Sequence, residues 1–294
     1  MKIVILDTET TGVLEEDRII QLSYMVLGQN GDIEEVHNVL CSAPLPIKYD
    51  SMAIHHITPE MTEGKPSCVD TEAFARLNEL NKPENLLVIQ NAVFDLDMLK
   101  KEGFESNMQL IDTFRVLRAL YPYDTPHGLQ YKRYQLGLYK KEQEIIDRLG
   151  IEVKAHDALG DVIVLKNLFD HLSGEQDMEA MIKLCRGPIL LEIMTFGKHK
   201  GKKFEDLAVT DRNSLQYMLE NFDLDEDLRF TMKHYLDKAK ANSKIMIGFG
   251  KYKGRTPDDI AKEDPDYLKW MRDKAERIDA DLKEEIIKVL KDIP

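Results

Sequence analysis

The sequence predicts an α/β domain with a mixed β-sheet flanked by helices, followed by a small α+β tandem-repeat domain. Short aliphatic strands come first along the chain, and helical patterns with a short strand between them follow, as in a mixed sheet. A Gly- and Lys-rich unit recurs near the C-terminus. The chain has 294 residues, 43% of them hydrophobic, which is enough to bury a large core.

The N-terminal elements follow from hydrophobic periodicity. Three strands are predicted as an antiparallel meander, because Asn30-Gly31-Asp32 is a hairpin turn signal between the second and third. The predicted strands are residues 3–6, 18–27, 33–41 and 86–90, with a further short strand beginning near residue 110. The predicted helices are residues 51–57, 69–81, 92–102, 112–120, 127–136, 142–149 and 157–172.

The C-terminal part contains a duplicated unit. Phe196-Gly-Lys-His-Lys-Gly-Lys202 recurs as Phe249-Gly-Lys-Tyr-Lys-Gly-Arg255, at an offset of 53 residues. Each copy is predicted to form a strand, a basic glycine turn and an amphipathic helix. We therefore expect four segments, at residues 1–172 (first domain), 173–190 (linker), 191–242 (first repeat unit) and 243–294 (second repeat unit).

Charge and cysteine content limit the classes of protein that fit. The net charge of −13 lies entirely in residues 1–195, because residues 196–294 contain 21 basic and 21 acidic residues. This sign is wrong for indiscriminate nucleic-acid binding. The three cysteines are far apart and form no CxxC pair, which argues against a zinc site or a disulfide framework. With no signal-peptide or membrane-span pattern, we expect a cytoplasmic protein without a membrane partner.

Asp7 and Glu9 follow the first buried strand directly. Residues two apart in a strand point to the same face, so these two carboxylates are expected to lie side by side. Because like charges repel at that distance, a cation between them is the best explanation, and hard oxygen ligands suit Mg²⁺ or Mn²⁺. The alternative is that Asp7 caps a loop and Glu9 is solvated.

Two further segments place ionisable residues where a plain structural role does not require them. Asp95 lies in the first turn of a predicted helix, where an acid also complements the helix dipole. His156 precedes the long helix at 157–172, a position where a histidine is often a surface or capping residue. Asp161 is predicted on the sheet side of that helix, where a buried carboxylate needs a partner or a metal.

Taken in order, these residues resemble the motifs of the DEDDh branch of the DnaQ-type 3′–5′ exonucleases. Asp7 and Glu9 match the Asp-x-Glu motif, Asp95 matches the second acid, and His156 and Asp161 match His-x4-Asp. The resemblance covers roughly residues 1–172. Segments 51–58, 111–113 and 127–130 are similar to exonuclease X-type members, as is the Phe-Gly-Lys-x-Lys-Gly unit, which occurs twice here.

The resemblance implies an RNase H-like fold and a metal-dependent nuclease. Asp7, Glu9, Asp95 and Asp161 would hold two divalent cations, Mg²⁺ or Mn²⁺, and His156 would accept a proton from the attacking water. The implied activity is release of nucleoside monophosphates from single-stranded or mismatched DNA 3′ ends, in DNA repair or proofreading.

Other residues are candidates for substrate contact. Candidates near the first motif and its neighbours are Thr8, Thr10, Val13, Leu14, His55 and Phe94. The alternatives for these are a packed turn and core packing. Candidates for phosphate contact in the repeats are Lys198, Lys200, Lys202, Lys251, Lys253 and Arg255. The alternative for these basic loops is a solvated turn.

Two rival functions remain open from the sequence. The first is an RNA 3′ exonuclease resembling RNase T or oligoribonuclease, since no residue pattern reads the 2′-hydroxyl and the DNA assignment comes from the resemblance. The second is a non-catalytic nucleic-acid end-binding module. Such a module is expected to lack at least one of the five motif residues, and all five are present, which favours the enzyme.

Overall fold

The computed structural model describes residues 1–150, 157–242, 245–274, 278 and 280–291. A five-stranded sheet with the order β3-β2-β1-β4-β5 forms its centre. The strands are β1 Ile3–Thr10, β2 Ile19–Leu27, β3 Ile33–Leu40, β4 Leu86–Ile89 and β5 Gln109–Asp112. β1, β2 and β3 pair antiparallel, whereas β4 runs parallel to both β1 and β5. The predicted mixed sheet and its opening meander are confirmed.

Helices surround the sheet and make up the C-terminal part. In chain order they are α1 Tyr49–His55, α2 Pro59–Thr62, α3 Glu72–Leu80, α4 Ala92–Lys101, α5 Thr113–Leu120, α6 Leu129–Gln135, α7 Glu142–Leu149, α8 Ala158–Ser173, α9 Met178–Leu184, α10 Phe204–Thr210, α11 Arg212–Asn221, α12 Glu226–Asn242, α13 Pro257–Glu263, α14 Pro265–Lys274 and α15 Ala280–Lys291. Among the described residues, none of these helices is both long and apolar enough to cross a bilayer.

Strand β1 divides the core into two layers because its side chains alternate between the faces of the sheet. Ile3 and Ile5 pack in a buried cluster with residues of α5, α8 and α9. Val4 and Leu6 pack in a second cluster with residues of α3 and α4 on the opposite face. Odd-numbered residues of β1 therefore face α8, and this alternation directs both carboxylates of the Asp-x-Glu motif toward that helix.

The helix predicted at residues 69–81 begins later than expected. Residues Cys68–Asp70 form a 3₁₀ turn, and α3 starts only at Glu72. Thr71 separates the two, because its hydroxyl oxygen accepts a hydrogen bond from the Phe74 backbone N–H at 3.1 Å and caps the helix. A threonine cap inside a continuous apolar pattern explains why periodicity alone extended the helix.

The duplicated unit repeats at the level of backbone hydrogen bonds. In the first copy, Gly201 N–H donates to the Met194 carbonyl at 2.8 Å, and Met194 N–H donates to the Lys202 carbonyl at 2.9 Å. The same two bonds, at the same distances, join Ile247, Gly254 and Arg255. Gly201 and Gly254 have φ angles of +83° and +85°, a backbone conformation that disfavours every residue other than glycine. In the described residues, the strand predicted at the start of each repeat copy is therefore one arm of a short hairpin.

The chain separates into two compact units. Residues 1–206 and 221–231 form the first, and residues 207–220 with those from 232 onward form the second. Within the first unit, the buried Asp227 carboxylate accepts hydrogen bonds from Arg115 at 2.9 Å, from Arg118 at 3.2 Å and from the Ile189 backbone N–H at 2.9 Å. The start of α12 is therefore joined to α5 by buried ion pairs. Within the second unit, the second copy has a hydrophobic cluster of its own.

We expect Asp227→Ala to reduce the free energy of unfolding by about 3–5 kcal/mol, because it leaves two arginines buried without their carboxylate. Chemical denaturation measures this difference. Asp225→Asn is the matched control: Asp225 also contacts Arg118, at 3.1 Å, but is 47% exposed, and an asparagine oxygen can still accept the hydrogen bond that Leu228 N–H donates at 2.7 Å. Its ion pair is expected to contribute no more than about 1 kcal/mol. Equal losses in the two variants would contradict the role assigned to burial.

Candidate active site

Three carboxylates meet beside the C-terminal half of β1. Asp7, Glu9 and Asp161 each place an oxygen within 4.8 Å of the others. Asp7 and Glu9 share one face of β1, and Asp161 lies in the first turn of α8, which packs on that face. The geometry is that of a hard-oxygen donor set, which suits Mg²⁺ or Mn²⁺.

Asp95 approaches the same edge from the neighbouring strand. Because β4 is parallel to β1, the helix after β4 starts beside the end of β1. Asp112, at the end of β5, accepts hydrogen bonds from Asn91 N–H at 2.9 Å and Ala92 N–H at 3.1 Å, which holds the first turn of α4. Asp95 in that turn accepts from Thr8 N–H at 3.0 Å and from the Thr8 hydroxyl at 2.7 Å. Asp95 lies outside the 4.8 Å group.

The protein environment raises the pKa of these acids. Burial raises the pKa of Glu9 to about 8, and the charges of Asp161, Asp95 and Asp157 add to the effect. Burial, followed by repulsion from the neighbouring carboxylates, also raises the pKa of Asp7 well above its usual range. Burial raises the pKa of Asp95 to about 7, although the hydrogen bonds from Thr8 oppose the shift. These groups resist carrying their charges together without a cation.

Two glutamines support the acids and were missed by the sequence analysis. The Gln130 amide on α6 donates to Asp161, and the Gln21 amide on β2 donates to Asp157. Segment 127–130 did stand out by resemblance, but an uncharged amide carries no sequence pattern that reveals its partner. His156, the predicted base, lies outside the described residues.

The loop after β1 presents two exposed aliphatic side chains, Val13 at 73% and Leu14 at 53% exposure. Asp17 fixes this loop by accepting hydrogen bonds from the Thr11 hydroxyl at 2.9 Å and from Leu14 N–H at 2.7 Å. Position 12 must be glycine, because a Cβ there would lie 2.5 Å from an Asp17 oxygen. The exposed pair is thus held on a well-fixed turn at the edge of the site.

The other candidates near the first motif have partners within the protein. The Thr10 hydroxyl donates to the Gly12 carbonyl at 2.7 Å. His55 is buried; its Nδ1 accepts from Ile57 N–H at 3.0 Å, so its Nε2 donates to the Thr10 carbonyl at 3.2 Å. Phe94 is half-buried against the core layer of α3 and α4. These contacts favour a supporting position behind the site.

The basic loops of the two repeats are largely exposed, as expected. Lys198, Lys200, Lys202, Lys251 and Lys253 are exposed, and Arg255 is half-buried. In the second copy, Lys251 pairs with Asp264 at 3.1 Å and Arg255 pairs with Glu263 at 2.6 Å. Both basic groups also lie over the Tyr252 ring. This turn therefore has an ordered internal arrangement of charge.

A mixed sheet of this order, with an acidic cluster at the edge of its central strand, defines a nuclease of the RNase H-like fold. A family model described as Exonuclease matches residues 4–169, which is more than half of the chain. The chain belongs to this exonuclease family. A second model, described as Exodeoxyribonuclease X-like C-terminal, matches residues 247–275 and so covers part of the second repeat copy.

The relatives found by comparison are exodeoxyribonucleases and one DNA polymerase. Exodeoxyribonuclease 10 of Escherichia coli K12 is 29% identical over 242 residues, covering 80% of this chain and 99% of the relative. A PolC-type DNA polymerase III of Pediococcus pentosaceus is 25% identical over 195 residues, covering 58% of this chain and 13% of that protein. A solved structure of exonuclease X with 5′ overhanging duplex DNA has a TM-score of 0.44 and 22% identity, covering 62% of this chain and 98% of that one.

We expect Glu9→Gln to stabilise the metal-free protein at pH 8, by an amount on the order of 1 kcal/mol or more. Because the folded state holds a proton on Glu9 up to about pH 8, the stability of the metal-free wild type falls as the pH rises from about 4.5 toward 8. Glutamine does not ionise, so the stability of Glu9→Gln lacks this part of the pH dependence. Thermal unfolding in chelator across this range measures the slope.

The exposed Glu16→Gln variant in the adjacent loop is the control, and it should behave as the wild type. Added Mg²⁺ or Mn²⁺ should raise the melting temperature of the wild type and of this control, and much less that of Glu9→Gln. Equal stabilisation of all three proteins would show that the cation does not bind at the acidic cluster.

Proposed function

We propose that this protein is a divalent-metal-dependent 3′–5′ exonuclease that releases nucleoside monophosphates from DNA 3′ ends. The convergence of Asp7, Glu9 and Asp161 oxygens within 4.8 Å is the observation that carries the proposal. The preference for DNA is supported by the similarity to exodeoxyribonuclease 10 of Escherichia coli over 80% of the chain. The proposed setting is DNA repair or proofreading in the cytoplasm.

The four acids Asp7, Glu9, Asp95 and Asp161 would hold two divalent cations, Mg²⁺ or Mn²⁺. When bound, these ions would supply positive charge to the attacking and leaving oxygens of the phosphodiester. His156 would accept the proton of the attacking water, since a histidine with an ordinary pKa near 6.5 is neutral and basic at working pH.

The substrate end would be positioned by the loop after β1. Val13 and Leu14 are exposed on a fixed turn, and we propose that they wedge against the terminal base of a single-stranded or mismatched end. Thr8, Thr10 and His55 would act from behind the site, because Thr8 donates to Asp95, Thr10 donates to the Gly12 carbonyl and His55 donates to the Thr10 carbonyl. Phe94 would pack beneath the bound nucleotide.

The proposal predicts a ladder that shortens from the 3′ end when 5′-labelled single-stranded DNA is incubated with the protein and Mg²⁺, and no ladder with chelator. Asp7→Ala should abolish the ladder, whereas the exposed Asp32→Ala should not. A ladder on RNA of matched sequence but not on DNA would refute the DNA assignment. No product from folded protein on either substrate would favour the end-binding module.

His156→Ala is expected to lower turnover by about 10²- to 10⁴-fold while DNA affinity is kept, because it removes the base and not the charge that binds the substrate. In the wild type, the rate should rise with pH through the titration of His156. Single-turnover measurements across acid to neutral pH test this. A flat profile in the wild type would exclude His156 as the base.

We further propose that residues 191–242 and 243–294 act as an accessory nucleic-acid-binding domain after the linker at 173–190. Replacing Lys200, Lys202 and Lys253 with Gln should weaken DNA binding and lower the salt slope by about 0.7 per lost phosphate contact. The matched control replaces three other exposed lysines, Lys65, Lys82 and Lys183, with Gln. Substitution is preferred to deletion, since deletion from residue 190 removes Asp227 from its buried arginines. An unchanged slope would contradict this role.

A further inference from the structure

A tyrosine-rich segment lies on α6 and the 3₁₀ turn after it. Tyr131, Tyr134 and Tyr139 are 46%, 62% and 44% exposed, which is unusual for large aromatic rings. Residues 129–141 contain four basic residues and no acidic residue, although residues 1–195 carry the whole net charge of −13. We call the three tyrosines with the exposed Lys140 and Lys141 the tyrosine patch.

The rings of the patch are arranged with basic groups around them. The Tyr134 and Tyr139 ring centroids are 5.7 Å apart, with 42° between the ring planes. The Arg133 guanidinium lies 5.3 Å from the Tyr134 ring centre, and the Lys140 ammonium lies 5.8 Å from that of Tyr139. Arg133 is itself held by two hydrogen bonds to Glu142, at 2.7 and 2.6 Å. The aromatic surface is therefore pre-positioned.

The patch is adjacent to the acidic cluster through α6. Gln130, in the first turn of this helix, donates its amide hydrogen bond to Asp161. Tyr134 lies four residues further on the same helix face, roughly 6 Å along the axis at 1.5 Å per residue. Tyr134 therefore lies about one helical turn beyond the residue that contacts Asp161.

The residue types in the tyrosine patch indicate which class of ligand it binds. Exposed aromatic rings stack on any base, and surrounding Lys and Arg side chains bind the phosphates between bases. The bases of a duplex already stack on one another, so rings of this kind recognise unpaired strands. Lys132 and Arg133 pair with Asp124 and Glu142, so the positive charge that the patch offers to a polyanion comes from the exposed Lys140 and Lys141.

We propose that the tyrosine patch binds the single-stranded DNA that leads to the 3′ end, with bases stacked on Tyr134 and Tyr139 and phosphates bound by Lys140 and Lys141. The inference rests on the proposed function, since it places the 3′ end at the acidic cluster. It adds a binding surface for internal nucleotides and explains a preference for unpaired strands.

The test is the affinity of the full-length protein for a short single-stranded oligonucleotide, measured by fluorescence anisotropy in chelator so that no cleavage occurs. Tyr134→Ala/Tyr139→Ala should weaken binding by roughly fivefold or more, as expected for lost base stacking. Tyr134→Phe/Tyr139→Phe, which keeps the rings, should restore most of the affinity. Tyr49→Ala, 87% exposed on α1, is the control for loss of an exposed tyrosine.

A charge variant and a comparison of two substrates test the patch without relying only on removal of the tyrosine rings. Lys140→Glu/Lys141→Glu should weaken binding and lower its salt slope. With Mg²⁺, the preference of the alanine variant for a long strand over a dinucleotide should fall by the same factor as its affinity. Wild-type affinity in both the alanine and the charge variants, or equally weak binding by the phenylalanine variant, would overturn the proposal.

The experiments distinguish failure of the exonuclease proposal from failure of the tyrosine-patch proposal. If the wild type produces no ladder but the patch variants lose affinity in chelator, the exonuclease assignment is wrong, and the patch binds single-stranded DNA without leading it to a cleaved 3′ end. If the wild type produces the ladder and the patch variants bind as tightly as the wild type, the exonuclease assignment is kept and the patch is refuted.

Discussion

Electrostatic repulsion among clustered, half-buried carboxylates is the constraint on which the organisation of this site depends. Asp7, Glu9 and Asp161 are held within 4.8 Å of one another by two elements of the central fold. Carboxylates so placed are unfavourable unless they are protonated or neutralised. The sheet, α8 and the turn before α4 supply the rigid framework that keeps them together. A cation is the partner that this arrangement is suited to accept.

The groups around the acids hold them in place without neutralising them. The Thr8 N–H and hydroxyl bind Asp95, and the Gln130 amide binds Asp161. These donors are uncharged, so they orient oxygens and leave negative potential in the cleft. The guanidinium of Arg133, on α6, pairs with Glu142 and also donates to the Gln130 amide oxygen at 3.2 Å. Arg133 therefore holds the glutamine that orients Asp161, while its own carboxylate partner is Glu142.

The sequence was sufficient for features with local causes. The period of two in β1 predicted that Asp7 and Glu9 share a face, and the 53-residue offset predicted the matching turns of the repeats. It was not sufficient for contacts between distant residues. Gln130 meets Asp161 only because α6 packs beside α8, and Asp227 joins α5 through buried charges that no local pattern encodes. In the described residues, the strands expected in the repeats are short hairpin arms joined by two or three backbone hydrogen bonds.

The raised pKa of Glu9, about 8, and of Asp95, about 7, has a consequence for the order of assembly. A protonated cluster carries little repulsion, so the sheet and α8 can close around it before any cation arrives. Loading then exchanges protons for metal, and the release of protons accompanies the uptake of the ions. Protonation of these acids is therefore compatible with a fully folded chain that holds no divalent ion.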